Sequence, residues 1–148
     1  MLQEILRSLF KRDLSKLKEE IETYRTENAI WAIDDGIANS SGNLCLHLIG
    51  NLNTYIGAVI GNTGYIRKRD LEFSLKDIPR QELVQKIEDT IVIIDQVMSN
   101  FKTEQLDDEY PLEVLGGKMT TGYFLVHLAT HLSYHLGQVN YHRRLLDK

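Results

Sequence analysis

Apolar residues recur every three to four positions along most of this chain, and the pattern predicts four long helices. In the first, from about Leu2 to Thr26, Leu2, Ile5, Leu6, Leu9, Phe10, Leu14, Leu17 and Ile21 form one apolar face with charges between them. Asn28 to Gly42 reads as a connection that holds Trp31, Asp34-Asp35 and the cap-rich string Asn39-Ser40-Ser41. The second helix is expected from Ser40 or Ser41 to Ile60, carrying Leu44, Leu48, Leu52, Tyr55, Ile56 and Val59. Gly61-Asn62 would end it as a C-cap. A long polar connection then passes through Tyr65, Arg67, Arg69, Glu72 and Phe73, and Pro79 suits a first helical turn. The third helix runs from about Arg80 to Phe101, with Leu83, Ile87, Ile91, Ile94, Met98 and Phe101 at steps of three and four. Lys102 to Lys118 connects it to the last helix, which Thr120 or Thr121 would cap and which runs to about Leu146.

Helices of roughly 20–27 residues are each about 30–40 Å long. Four such segments, each with one apolar face, pack naturally as an all-α four-helix bundle with long connections, here a single domain over residues 1–148. The period never settles at two, so a β-rich fold is not expected. The length of 148 residues suffices for a real core, and 43% hydrophobic with 26% charged residues argues against disorder. Net charge is −4, which places duplex nucleic acid low among the expected partners. No apolar run reaches the roughly 18 residues of a membrane span. The charged N-terminal stretch MLQEILRSLFKRDLSK lacks the apolar centre of a signal peptide, and a cytoplasmic protein is expected. The one cysteine, Cys45, cannot form an internal disulfide and suits a small core position.

The histidines change the picture. Of five, four lie on the last predicted helix: His127, His131, His135 and His142. At about 100° per residue, His127, His131 and His135 are offset by only about 40° each, and Gln138 falls in the same stripe. Two histidines at i and i+4 sit one turn apart and can reach one ion. A second helix must then supply the third ligand, and His47, beside the Leu44/Leu48 stripe, is the only histidine elsewhere. Periodicity leaves the pair open between His127/His131 and His131/His135. His142, eleven residues and about 16 Å beyond His131, cannot share the ion. The competing reading is a set of hydrogen-bonded core histidines. Asn51, one turn beyond His47, and Gln138 are either contacts to the ligand shell and substrate or satisfied polar residues at a helix interface. Arg67, Lys68 and Arg69 suit surface pairs with Asp70 and Glu72, or else an anionic substrate. Trp31, Tyr55 and Tyr123 suit the core before a pocket wall.

The string HLATHLSYHLGQVNYHRRLL, His127 to Leu146, resembles the last metal-binding helix of the DinB-like (YfiT-like) family, whose pattern H-x-x-x-H-[R]-G-Q reads here from His131 to Gln138. HLIGNLNTYI, from His47 to Ile56, is similar to the family's other histidine segment. The flanking NSSGNL and RKRDLEF resemble an uncharacterised branch. The resemblance implies a four-helix bundle with a divalent ion on His47, His131 and His135, and so selects the His131/His135 pair. Leu136 stands where many members carry arginine. It also implies a metal-dependent enzyme, of the small-thiol transferase or the hydrolase kind, and leans toward a homodimer.

Three imidazoles suit zinc or nickel first and admit iron or manganese. The expected partner is a small-molecule substrate, such as a low-molecular-weight thiol, with no nucleic acid and no membrane. A non-catalytic metal-binding or stress-response module is the alternative. No HExxH, GxSxG or phosphate-binding glycine loop occurs. Helix one, with apolar residues at both Leu9/Phe10 and Leu14/Leu17, has a face wider than one seam and suggests a dimer contact.

Overall fold

The computed structural model describes residues 1–148. It is all-helical, with five α-helices, two isolated β-bridges and no strand. Helix α1 spans Leu2–Thr23, α2 Ser41–Leu52, α3 Arg69–Ser74, α4 Arg80–Asn100 and α5 Thr121–Leu146. Helix α1 packs on α4 and α5, and α2 packs on α3, α4 and α5. The apolar periodicity is spent as expected: Phe10, Leu14, Leu17, Leu48, Leu83, Ile87, Leu125 and Leu132 are all fully buried in one core cluster.

Helix α2 departs from the simple amphipathic pattern. Every residue from Ser41 to Leu52 is buried, because neighbours cover it on all sides. Ser40 caps it, its side chain accepting from the Asn43 backbone N–H at 3.2 Å. Trp31 lies against Gly42 in this core: a Cβ there would come within 2.6 Å of the indole. The second helix does not run unbroken to Ile60. After Leu52 it continues as a π-helical turn, Asn53–Ala58, with wider bonds such as Gly61 N–H to Ile56 O at 2.9 Å. Asn53 is buried there, donating to Ile49 O and Thr90 Oγ1. The segment closes near Asn62, whose φ of 53° is the left-handed conformation expected of an asparagine after a helix.

The polar connection after Asn62 contains a helix that periodicity did not indicate. Six residues, Arg69–Ser74, are too few to show a helical repeat, yet they fold back over α2. Pro79 stands just before α4 as its N-cap, not inside the first turn. Of the two threonines expected to cap α5, Thr120 does so, accepting from the Tyr123 N–H at 3.1 Å. Tyr110 closes the last connection by donating its hydroxyl to Tyr55 O at 2.7 Å. The α1 positions that suggested a second interface are largely covered within the chain: Phe10, Leu14 and Leu17 are fully buried and Leu9 is half-buried. No helix is long and apolar enough to cross a membrane.

Candidate metal centre

Helices α2 and α5 run antiparallel, with Tyr55 edge-on to Phe124 at one level and His47 beside His131 and His135 at the next. His131 and His135, one turn apart on α5, stand edge to face with ring centroids 4.5 Å apart. His47 projects from the buried α2 and brings its Nε2 to 3.3 Å from His131 Nε2. One ligand atom from each of the three residues lies within 4.8 Å of the others, close enough to hold a metal ion.

The outer nitrogens decide how the rings present themselves. His47 Nδ1 lies 3.1 Å from Glu72 Oε1, and His135 Nδ1 lies 2.7 Å from Gln138 Oε1. Arg67 Nη2 also lies 3.4 Å from His47 Nδ1, but the ionised Glu72 oxygen is nearer and Gln138 Oε1 is an acceptor, so each Nδ1 carries the proton and each Nε2 turns a lone pair inward. His131 differs. Its Nδ1 is buried with no hydrogen-bond partner. If its Nε2–H points at His47, the Nδ1 lone pair is stranded; if Nδ1 holds the proton, two lone pairs face each other at 3.3 Å. A cation between the Nε2 atoms removes that repulsion. Two nitrogens at about 2.0–2.1 Å from a tetrahedral zinc are themselves about 3.3 Å apart. The donor set therefore fits a divalent ion.

Burial, followed by the neighbouring histidines, pushes His131 down from 6.5 to about 4, so it is a neutral donor at physiological pH. Burial lowers His135 as well, with the Gln138 bond opposing. Glu72 is itself held in place. Arg67 donates Nε to Glu72 Oε2 at 2.9 Å and Nη2 to Oε1 at 3.0 Å, a bidentate pair with both side chains nearly buried. Burial alone would raise Glu72, but hydrogen bonds from His47 and Arg67 prevail and hold it below the usual carboxylate range. Room for this carboxylate depends on Gly50, one turn short of the π segment. A Cβ at Gly50 would come within 2.6 Å of Glu72 Cδ, and closer still to Oε2.

The other candidates separate. His127 stacks between Phe124 and His131, with centroids 5.9 and 6.1 Å away, and does not join the triad. His142 is a buried structural residue: Nδ1 meets the Tyr24 hydroxyl at 2.7 Å and Nε2 meets Ala32 O at 2.8 Å. Asn51 is buried with Oδ1 unpartnered, and by register it sits between the His47 and Tyr55 levels. Gln138 is the His135 partner described above. The surface pairing expected for Arg67 gives way to a nearly buried one with Glu72, while Arg69 lies over the Phe73 ring at 5.2 Å. Trp31 is core, Tyr55 packs half-buried against it, and Tyr123 is exposed. Cys45 is core too, its thiol pushed up to about 12 by burial.

Sequence reasoning missed Glu72 as a histidine partner. Arg67 and Glu72 are five apart in a segment without periodicity. The one available signal was chemical: a ligating histidine usually gives its outer N–H to a carboxylate or carbonyl.

Beside the triad, the 34–39 connection and the C-terminal half of α5 enclose a cavity of about 670 Å³, with His135 and Gln138 in its wall.

No curated protein matches the chain. A family model described as "Protein of unknown function (DUF1572)" matches residues 2–148, and the chain belongs to that family.

Proposed function

We propose that this protein is a metal-dependent enzyme of the DinB-like four-helix-bundle kind, with one divalent ion on His47, His131 and His135. The observation that carries the reading is the convergence of three imidazoles within 4.8 Å, from two helices far apart in sequence. Helices α1, α2, α4 and α5, linked through α1–α4, α1–α5, α2–α4 and α2–α5 contacts, support the bundle assignment. Zinc and nickel suit the donors best, with iron or manganese also accommodated. No fourth His, Cys, Asp or Glu joins the group. A structural zinc site usually closes with four protein ligands, so three favour chemistry over bracing.

When bound, such an ion supplies Lewis acidity at an open position, lowering the pKa of a water or of a substrate thiol. The chain's own residues prepare the site. Glu72 and Gln138 hold the proton on the outer nitrogen of His47 and His135. Arg67 keeps Glu72 ionised and fixed, and burial keeps His131 neutral. The reaction class we assign is thiol-dependent S-transfer or hydrolysis on a small molecule. The protein is proposed to be a cytoplasmic homodimer, and exposed apolar side chains such as Ile5, Val92 and Tyr123 suit the dimer contact.

Elemental analysis tests the site. Purified protein should carry one divalent ion per chain, and His131→Ala should lose it. Full occupancy in that variant would remove the assignment. Cobalt loading separates chemistry from bracing. Azide or a small thiol should change the visible spectrum of an open site, whereas a silent spectrum with unfolding on chelation would establish the non-catalytic module instead.

A further inference from the structure

The cavity beside His135 has a composition of its own. Ile37, Leu44 and Leu145 give it apolar lining, and Tyr134 and Tyr141 line it as well. Ile37, Tyr134, Tyr141 and Leu145 are each at least 40% exposed, so four large side chains stand open to water around one concavity. Large apolar surface gathered in a concave place marks a ligand site more often than chance exposure does. A volume near 670 Å³ lies within the range of small-molecule pockets.

The charges are one-sided. Asp34 and Asp35 stand at the rim, both exposed, and neither makes a salt bridge. The only side-chain bond at either carboxylate is local: Asp34 Oδ1 accepts the Asp35 N–H at 2.8 Å. No lysine or arginine lines the cavity. His142, in its inner wall, has both ring nitrogens engaged by Tyr24 and Ala32. Arg67, the cation nearest the triad, is bound to Glu72.

We infer that this cavity is the substrate pocket of the triad, and that it selects an amphiphile with an apolar body and a cationic amine. The body lies along Leu44, Ile37 and Leu145, the ammonium group at Asp34 and Asp35, and the reacting end toward His135. The placement of the reacting end rests on the metal reading above; the pocket and its charge preference rest on the cavity alone.

Three probes with one apolar body test it: 4-phenylbutylamine, 4-phenylbutanol and 4-phenylbutyrate. Binding is followed by calorimetry and amide shifts, on metal-free and manganese-loaded protein, with ion content measured in parallel. The amine should bind about ten-fold tighter than the butyrate, because the two exposed carboxylates attract the one probe and repel the other. That preference should shrink to about two-fold in D34N/D35N, and likewise in salt of about 0.5 M. L145R, at an exposed position that tolerates the change, should block all three probes and leave ion content unchanged. In manganese-loaded protein the amine's protons should broaden, and in His131→Ala they should not. Butyrate binding as tightly as the amine, or amine binding indifferent to L145R, would overturn the pocket. So would stoichiometric ion with no broadening of bound amine. Amine binding with the stated charge order and L145R sensitivity, in a protein that takes up no ion, would uphold the pocket while removing the metal reading.

Discussion

Replacing Gly50 by alanine isolates the support beneath the triad. In most helix interiors this change stabilises, by about 0.8–1.0 kcal/mol from propensity alone. Here the added methyl collides with the Glu72 carboxylate, to within 2.6 Å of its Cδ. The carboxylate cannot simply swing aside. Two bonds from Arg67 and one from His47 pin it, and its side chain is only 7% exposed. Expelling one member of a buried ion pair costs about 3–5 kcal/mol, because the other charge is left without its partner. The net expectation is a loss of about 2–4 kcal/mol, against the sign that propensity predicts. With a urea m-value of about 2 kcal/mol/M, the midpoint of the metal-free protein should fall by about 1–2 M. His47 would lose the acceptor that orients it, so divalent-ion affinity should weaken by about 10–100-fold. The control is the same substitution in a Glu72→Ala background. With no carboxylate to displace, Gly50→Ala should there become stabilising by about 1 kcal/mol. A midpoint in the single variant at or above that of the wild type, with unchanged ion affinity, would refute the argument that Gly50 exists to admit Glu72.

Chelation should leave the far-ultraviolet circular dichroism nearly intact, since the core cluster is independent of any ion; loss of helix on adding EDTA would reverse this. His131 is held near 4 in the folded state against an ordinary 6.5. Below 6.5 the unfolded chain therefore takes up a proton that the folded one refuses. Stability of the metal-free protein should fall as pH drops from about 6.5 to about 4, and His131→Gln should flatten that part of a urea-midpoint profile. Light scattering at about 100 μM, well above typical weak-dimer constants, should give twice the chain mass of 17.1 kDa, and a monomer would count against the dimer.

Much of this architecture was legible in residue order. A three-to-four repeat of apolar residues can only be buried as one helix face, so α1, α4 and α5 were visible nearly to their ends. Local signals narrowed the caps to Ser40 or Ser41 and to Thr120 or Thr121 and marked the stop at Gly61-Asn62, because each acts within a few residues of itself, but they gave no sign of the π turn that follows Leu52. The i,i+4 spacing of the histidines on α5 is likewise a local property, which is why periodicity found the stripe and could not choose within it. Which pair faces His47 depends on the antiparallel register of α2 on α5, a relation between residues such as His47 and His131 that stand 84 apart in the chain. Packing decided three further matters. The short α3 has too few residues to announce itself, and only its contact with α2 turns Arg67 and Glu72 from a solvated pair into the buried anchor of His47. Gln138 lay in the right stripe, but its bond to His135 depends on side-chain torsions that sequence spacing does not set. The cavity at Asp34 and Asp35 exists because an irregular connection crosses a helix end, and irregular backbone carries no period to read.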